Sequence, residues 1–277
     1  MLLPVATAVA TIATNVAAVI EIVDREPIER FARRDLGMHL YELGDLDPFF
    51  WPHTQWFGLP RADGELAALA LLYGSPQIPT LLALGRQDSE ATAQLLAAIA
   101  PRIPLPVYAH LVPGQLTILG DRVRPQAHGL HLKMEHRDRD RLALRTDDVD
   151  RLGPSDHDDL LELYGRSYPG NWFDARMLET GQYYGIRSEG ALVCVAGVHV
   201  YSPRYRVAAL GNVTTDPGAR GRGLARRATA RLCRSLYATV DTIGLNVHAD
   251  NQAAIACYRS LGFETIGEYE EFALEAR

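Results

Sequence analysis

The most regular hydrophobic pattern in the chain lies near its C-terminus. Residues 208–215 are small or β-branched, with no chain-breaking residue after Gly211, which predicts a buried strand. Asp216-Pro217-Gly218 then gives a turn signal. Apolar residues next recur at every fourth position, as on one face of a helix. These are Leu224, Ala228, Leu232 and Leu236. The stretch predicts a strand, a glycine-rich turn and the start of a helix.

A second strand and a second helix follow this unit. Residues 245–248 read as a short strand, and a helical segment follows Asn251. Asn251 is a suitable N-cap, and Gly262 is a suitable C-terminal end. Asn251, Ala254 and Tyr258 are spaced by three and four residues, so they share one helix face. A polar group, a small residue and a phenol are therefore predicted to point the same way.

The residues before this region predict the rest of an α/β unit. We expect a first strand at 142–145, a helix at 155–164, a second helix at 172–178, and a hairpin of strands 183–188 and 192–201. Residues 21–137 show a similar alternation. Strands are predicted there at 66–73, 80–84, 108–112 and 130–134, and helices at 27–34, 39–43 and 89–100.

The predicted fold class is therefore α/β, with two mixed-sheet units. We place the first unit at residues 21–138 and the second at 139–277, with a charged linker between them. The length of 277 residues also favours two domains over one. Residues 1–20 carry no charge and are predicted to be an apolar, flexible lead segment.

Composition narrows the classes of function. The chain has 28 basic and 34 acidic residues, a net charge of −6, so it lacks a broadly basic surface for nucleic acid. Its cysteines, Cys194, Cys233 and Cys257, form no close metal-binding pair and are typical of a reducing cytoplasm. No basic residue precedes the apolar lead segment, as a signal peptide requires. We expect a cytoplasmic protein with no metal, nucleic-acid or membrane partner.

The glycine-rich turn at the predicted helix start has a chemical use. The first N–H groups of a helix lack internal partners, and the helix dipole is positive there. Glycines let a phosphate group approach the main chain, so the turn suits a pyrophosphate. It is not a P-loop, because it has no lysine, and Arg226 occupies the third small position of a dinucleotide fingerprint. An ordinary Arg/Gly-rich surface turn is the alternative.

Three motifs in the C-terminal half occur together in a fixed order. They are Asn212-Val213-Thr214-Thr215, Arg220-x-x-Gly223-x-Ala225, and Asn251-x-x-Ala254-x-x-x-Tyr258-x-x-x-Gly262-Phe263. Their order and spacing closely resemble the GNAT superfamily of acyl-CoA-dependent N-acyltransferases. The resemblance covers roughly the last half of the chain. It implies a central, partly splayed mixed sheet flanked by helices, with acetyl-CoA or another acyl-CoA as co-substrate. The N-terminal unit lacks these motifs, so it is at most a degenerate GNAT-like copy.

The resemblance also implies roles for individual residues. Backbone groups of Val213, Thr214 and Thr215 would pair with the pantetheine arm. The amides that would hold the pyrophosphate belong to Arg220, Gly221, Arg222, Gly223, Leu224 and Ala225. Asn251 and Ala254 would border the cofactor, and Tyr258 would protonate the leaving thiolate. A phenol is suited to this step, because its pKa lies above that of a thiol.

The general base and the acceptor are not readable from the sequence. Many members of the family place a glutamate on the strand before the glycine turn, but residues 208–215 contain none. A water relay is possible, and His199 is a candidate base, although a lone histidine in a strand is more often structural. His248 is a weaker candidate. The acceptor is an amine, either a small molecule or a peptide. The alternative function is a non-catalytic acyl-CoA sensor, favoured by the missing glutamate and opposed by Tyr258.

Overall fold

The described residues form one continuous mixed sheet flanked by helices. The computed structural model describes residues 18–74, 78–86 and 88–277. Its strands are β1 Ile20–Ile22, β2 Thr54–Pro60, β3 Leu66–Tyr73, β4 Thr80–Ala83, β5 Val107–Leu111, β6 Val123–His136, β7 Asp150–Leu152, β8 Tyr183–Ser188, β9 Ala191–Ser202, β10 Val207–Thr215, β11 Thr242–His248 and β12 Phe263–Ala276. Its helices are α1 Arg25–Arg34, α2 Leu40–Gly44, α3 Ser89–Ile99, α4 His157–Ser167, α5 Leu224–Leu236 and α6 Gln252–Ser260.

The sheet contains the same arrangement of strands twice. Its order is β1-β2-β3-β4-β5-β12-β6-β11-β10-β9-β8-β7. Within the described residues only two neighbouring pairs are parallel, β4 with β5 and β10 with β11, and each pair is joined through one helix, α3 or α5. The predicted α/β class with mixed sheets is therefore confirmed, and the two halves share a strand–helix–strand unit at corresponding places.

The two halves meet by exchanging their last strands. β6 precedes the linker in sequence but pairs with β11 of the C-terminal half, from Gly244↔Glu135 to His248↔His131. β12 ends the chain and pairs with β5 of the N-terminal half as well as with β6. Hydrogen bonds thus cross between the halves along the centre of the sheet. The boundary between residues 138 and 139 stays a prediction.

The helix predicted after the glycine turn packs on the sheet through the expected face. All four periodic residues of α5, Leu224, Ala228, Leu232 and Leu236, are buried in the main core. The predicted hairpin of β8 and β9 turns at Glu189 and Gly190, whose φ angles are +52° and +86°. Two successive positive φ angles match the right-handed twist of the paired strands, which explains the tight turn.

The expected strand at 142–145 is wrong. Arg139–Leu142 is a short 3₁₀ segment, and the first strand of this half is β7 at Asp150–Leu152. Arg234 accounts for the difference, because its guanidinium donates to the carbonyls of Leu142 and Leu144 at 3.4 and 2.9 Å. These carbonyls therefore find a side-chain donor instead of a neighbouring strand. The predicted helix at 172–178 is likewise a 3₁₀ segment, at Ala175–Thr180.

Most of the predicted lead segment lies outside the described residues, which begin at residue 18. In the part of the chain that the structure covers, no helix has the length and apolar character needed to cross a membrane.

Candidate functional site

The parallel strands β10 and β11 separate part-way along their length. Their pairing runs from Val207↔Thr242 to Leu210↔Leu245 and goes no further in the described structure. Beyond that point β11 continues against β6, while β10 shifts register against β9 between Gly211 and Thr214. The splayed sheet that the family resemblance implied is present. It leaves the β11-facing edge of β10 open after Leu210.

The bulge that opens this gap is built around Asn212. Asn212 has a φ of +55°, which asparagine tolerates better than most residues with a side chain. Its buried amide donates to the hydroxyl of Tyr183 at 3.1 Å and to the carbonyl of Trp172 at 3.2 Å. The hydroxyl of Tyr164 donates in turn to the Asn212 carbonyl at 3.2 Å. The bulge is thus held from both sides by buried hydrogen bonds.

The three residues expected beside a pantetheine arm follow this bulge. Val213, Thr214 and Thr215 are all partly buried along the open part of β10. The hydroxyls of the two threonines donate away from the gap, to Ser167 at 3.2 Å and to the Cys194 sulfur at 3.3 Å. Their side chains are therefore anchored, which leaves the strand edge for a ligand.

The glycine turn connects this strand to an uncapped helix. Gly221 and Gly223 have φ angles of +75° and +72°, and a Cβ atom added at either would meet no atom within 4 Å. Gly223 is the N-cap of α5 and offers no side-chain acceptor to the helix. The first N–H groups of α5, from Leu224 and Ala225 onwards, thus have no capping side chain. Arg220 and Arg222 are exposed beside them.

The corresponding helix of the N-terminal half begins differently. The carboxylate of Asp88 caps α3 by accepting from the N–H of Ala91 at 2.9 Å. A negative side chain therefore occupies the helix start that a phosphate group would need, and it would repel an anion. The guanidinium of Arg86 is bound to Asp35, at 3.0 Å. Of the two helices, α5 alone keeps its positive end available.

Helix α6 presents the predicted tyrosine to the core. Asn251 caps the helix, its side-chain oxygen accepting from the N–H of Ala254 at 3.1 Å. Tyr258 is only 9% exposed, and its ring packs edge-on against Phe263 with centroids 5.8 Å apart. Burial raises the pKa of Tyr258 well above its ordinary value, and nearby groups, including Tyr168, raise it further. The phenol therefore stays protonated across the physiological range.

A buried carboxylate that the sequence analysis missed lies on β12. Glu271 accepts hydrogen bonds from the hydroxyls of Tyr108 and Tyr269, the latter at 2.6 Å. The Nε2 atoms of His110 and His131 lie 3.5 and 3.4 Å from its two oxygens. Burial alone would raise the pKa of Glu271, but these four partners outweigh it and hold the pKa below its usual range. Glu271 is therefore ionised near neutral pH.

Glu271 is connected to the bulge of β10 by a series of contacts. The hydroxyl of Tyr108 donates to Glu271, and the ring centroid of Tyr108 lies 6.3 Å from that of Trp172. The carbonyl of Trp172 accepts from the side-chain amide of Asn212 at 3.2 Å. The charge of Glu271 also helps to raise the pKa of both Tyr41 and Tyr168.

His199, the base suggested by the sequence, is poorly suited to that role. Its ring lies directly over Gly211, where any side chain would collide with it. Burial lowers the pKa of His199 to about 4, against a partial opposing effect of Glu271. A neutral imidazole with so low a pKa is a weak proton acceptor.

Comparisons with known proteins agree with this geometry. Residues 149–263 match the family model for the Acetyltransferase (GNAT) family. This match places the GNAT-like part of the chain at residues 149–263. A putative acetyltransferase of the GNAT family from Novosphingobium aromaticivorans has a similar structure, with a TM-score of 0.60 and 20% identity. The match covers 87% of this chain and 98% of that one, so the shared fold includes the N-terminal half.

Two curated relatives are similar in sequence to part of this chain. The N-alpha-acetyltransferase RimI of Mycobacterium tuberculosis is 38% identical over 89 residues, 31% of this chain and 53% of RimI. An uncharacterized protein of Mycobacterium leprae is 35% identical over 130 residues, 43% of this chain and 35% of that protein. The matches therefore span about half or less of these relatives.

Proposed function

We propose that this protein is an N-acyltransferase that moves an acetyl or short acyl group from acyl-CoA to an amine. The observation that carries the proposal is the uncapped start of α5, which directly follows the open edge of β10. An anion-binding helix end and an unpaired strand edge are thus joined in one stretch of chain. This combination suits a long ligand with a pyrophosphate at one end and amide groups along its arm.

The residues around this stretch fit such a ligand. The amides from Arg220 to Ala225 bind the pyrophosphate, assisted by the charges of Arg220 and Arg222. The backbone of Val213, Thr214 and Thr215 pairs with the pantetheine amides, as an added strand would. Asn251 and Ala254 border the cofactor on the α6 side. The N-terminal half binds no second acyl-CoA at α3, because Asp88 fills that helix end.

The chemistry is direct attack of an amine on the thioester carbonyl. The nitrogen bonds to the carbonyl carbon, the C–S bond breaks, and the proton of Tyr258 neutralises the departing thiolate. The raised pKa of Tyr258 keeps the donor protonated before the thiolate develops. We propose a small-molecule amine or a peptide N-terminus as acceptor. The peptide is included because one relative is an N-alpha-acetyltransferase.

Thiol release measured with acetyl-CoA across a panel of amines and peptides tests the proposal. We expect acceptor-dependent thiol release that saturates with acetyl-CoA, together with a mass increase of the acceptor by one acetyl group. Tight binding of acetyl-CoA with no acylation of any acceptor would contradict catalysis and favour an acyl-CoA sensor. Absence of acetyl-CoA binding would contradict both functions.

A further inference from the structure

We propose that His131, paired with Glu271, accepts the proton that the acceptor amine loses, and that the N-terminal half therefore completes the active site. This inference rests on the proposed acyl transfer. β10 supplies no general base. The inference assigns that role to a residue of β6, a strand that precedes the GNAT-like residues 149–263 in sequence.

Strand register places the groups involved on one face of the sheet. His131 pairs with His248 on one side and with Tyr269 on the other. Glu271 lies two residues beyond Tyr269 and pairs with His110 of β5. Directly paired residues, and residues two apart along a strand, share a face. These side chains therefore form a polar row across β11, β6, β12 and β5, in which both halves take part.

The surroundings of His131 favour the addition of a proton. Its Nδ1 lies 3.2 Å from the carbonyl oxygen of Gly129, and its Nε2 lies 3.4 Å from an oxygen of Glu271. The tautomer that satisfies the Gly129 carbonyl carries its N–H on Nδ1, which leaves the lone pair of the neutral ring on Nε2. The carboxylate of Glu271 lies at ion-pair distance from Nε2 and stabilises the positive charge that protonation creates.

Other groups around His131 set how readily it takes that proton. Burial lowers the pKa of His131, and the charges of His248 on β11 and His128 on β6 lower it further. The carboxylate of Glu271 on β12 opposes this, as does the Gly129 carbonyl. The ring of Tyr269 completes the enclosure, with its centroid 5.6 Å from that of His131. At neutral pH the imidazole is therefore free to act as acceptor, with a carboxylate ready to stabilise the product.

The proton balance of the reaction is then complete. As the amine nitrogen bonds to the acyl carbon, its proton passes to the Nε2 lone pair of His131, and the negative charge of Glu271 stabilises the imidazolium. The C–S bond breaks, and Tyr258 gives its proton to the thiolate. His131 ends as an imidazolium and Tyr258 as a phenolate. Return of one proton from the first to the second through solvent restores the enzyme.

The carboxylate of Glu271 is held in place by its other partners. Two tyrosine hydroxyls donate to it, one to each oxygen. The Nε2 atoms of His110 and His131 lie 3.5 and 3.4 Å from these oxygens, which is ion-pair distance. The negative charge is therefore fixed beside His131, where it stabilises the imidazolium.

Histidine titration of the full-length protein by ¹⁵N NMR tests the pair without any substrate. The His131 signals are assigned by their loss in His131→Gln. We expect Glu271→Gln to lower the pKa of His131 by roughly one unit or more, since it removes a facing negative charge. Glu268→Gln is the matched control, because Glu268 is exposed on the same strand and should leave the pKa unchanged. An unchanged His131 pKa in Glu271→Gln would overturn the pairing.

Steady-state kinetics, with an amine that the panel identifies as an acceptor, test whether His131 accepts the proton that the amine loses. The acceptor is chosen to ionise below the measured pH range, so that only enzyme groups titrate. We expect kcat/KM to fall on the acid side as His131 becomes protonated, and Glu271→Gln to move that fall to lower pH. His131→Gln should lose the fall and about 100-fold or more in kcat/KM, with an unchanged Kd for acetyl-CoA.

The outcomes distinguish this inference from the proposed function. A protein that acylates an amine equally well without His131 contradicts this inference alone. A protein that acylates no amine contradicts the proposed function and with it the catalytic role of His131. A variant that loses activity together with its folded state, judged by circular dichroism, is replaced by Glu271→Gln, whose pH profile carries the same test.

Discussion

The side-chain amide of Asn212 donates to the hydroxyl of Tyr183 at 3.1 Å, and this contact holds the bulge that separates β10 from β11. The same Tyr183 hydroxyl donates to the carbonyl of Val198, on the neighbouring strand β9, at 3.2 Å. A strand, its neighbour and the start of the ligand gap are thus joined by one buried chain of hydrogen bonds.

Two substitutions of Asn212 should separate the stability that its side-chain hydrogen bonds contribute from the cost of its positive φ angle. Asn212→Gly removes the amide but keeps the positive φ without strain, so we expect a loss of about 1–2 kcal/mol in unfolding free energy. Asn212→Ala adds roughly another 1 kcal/mol, because alanine disfavours this region. Denaturant unfolding of both variants measures the difference. Equal stability of the glycine and alanine variants would show that the positive φ stores no strain.

Removal of the Tyr258 hydroxyl should slow the chemical step and spare binding. Tyr258→Phe keeps the ring that packs on Phe263 and deletes the proton donor. If thiolate departure limits the rate, pre-steady-state acyl transfer should fall by roughly 10²-fold or more, with little change in the Kd for acetyl-CoA. Tyr237→Phe is a control, since that hydroxyl is engaged with His136 at 2.8 Å, away from the gap. Equal chemical rates in wild type and Tyr258→Phe would show that the phenol only packs.

Buried His199, whose ring lies over Gly211, should lower the free energy of unfolding in mild acid. The pKa of His199 is lowered from 6.5 to about 4, so between these pH values the unfolded state binds more protons than the folded state. The free energy of unfolding should therefore decrease as pH falls from about 6.5 to 4. His110 has a similarly lowered pKa and contributes in the same direction.

Unfolding measured across this pH range checks the effect. His199→Gln should flatten the pH dependence, by on the order of 1–3 kcal/mol across the window, since it removes one of the contributing titrations. A slope in His199→Gln equal to that of wild type would contradict the buried neutral imidazole.

The local parts of the site were predictable because their signals are local. The four-residue spacing from Leu224 to Leu236 and the caps at Asn251 and Gly262 reflect hydrogen bonds and packing within a few residues of chain. The uncapped, glycine-rich start of α5 followed from the same rules. The strand expected at 142–145 failed because a distant guanidinium, that of Arg234, satisfies its carbonyls.

The centre of the sheet was not predictable, because its pairings join distant parts of the chain. β6 pairs with a strand of the C-terminal half, and β12 pairs with a strand of the N-terminal half. Neither pairing can be read from the hydrophobic pattern of the two strands. Glu271 follows Glu268 and Glu270, and a register shift between Glu271 and Phe272 hides which of these carboxylates points inward. Its two-residue spacing from Tyr269 was the available signal, since alternate residues share a face. Only the fold shows that the same face carries His110 and His131.

Calorimetric titration with acetyl-CoA, comparing wild type with Gly223→Val and Gly190→Val, tests most directly whether α5 is the cofactor site. Both glycines have positive φ angles, +72° and +86°, and neither would place a Cβ near another atom, so the two substitutions impose a similar backbone strain. Gly190 lies at the β8–β9 turn, away from α5. We expect Gly223→Val to weaken binding at least tenfold, about 1.4 kcal/mol, and Gly190→Val to bind as wild type does. Unchanged affinity in folded Gly223→Val would contradict the placement of acyl-CoA at this helix.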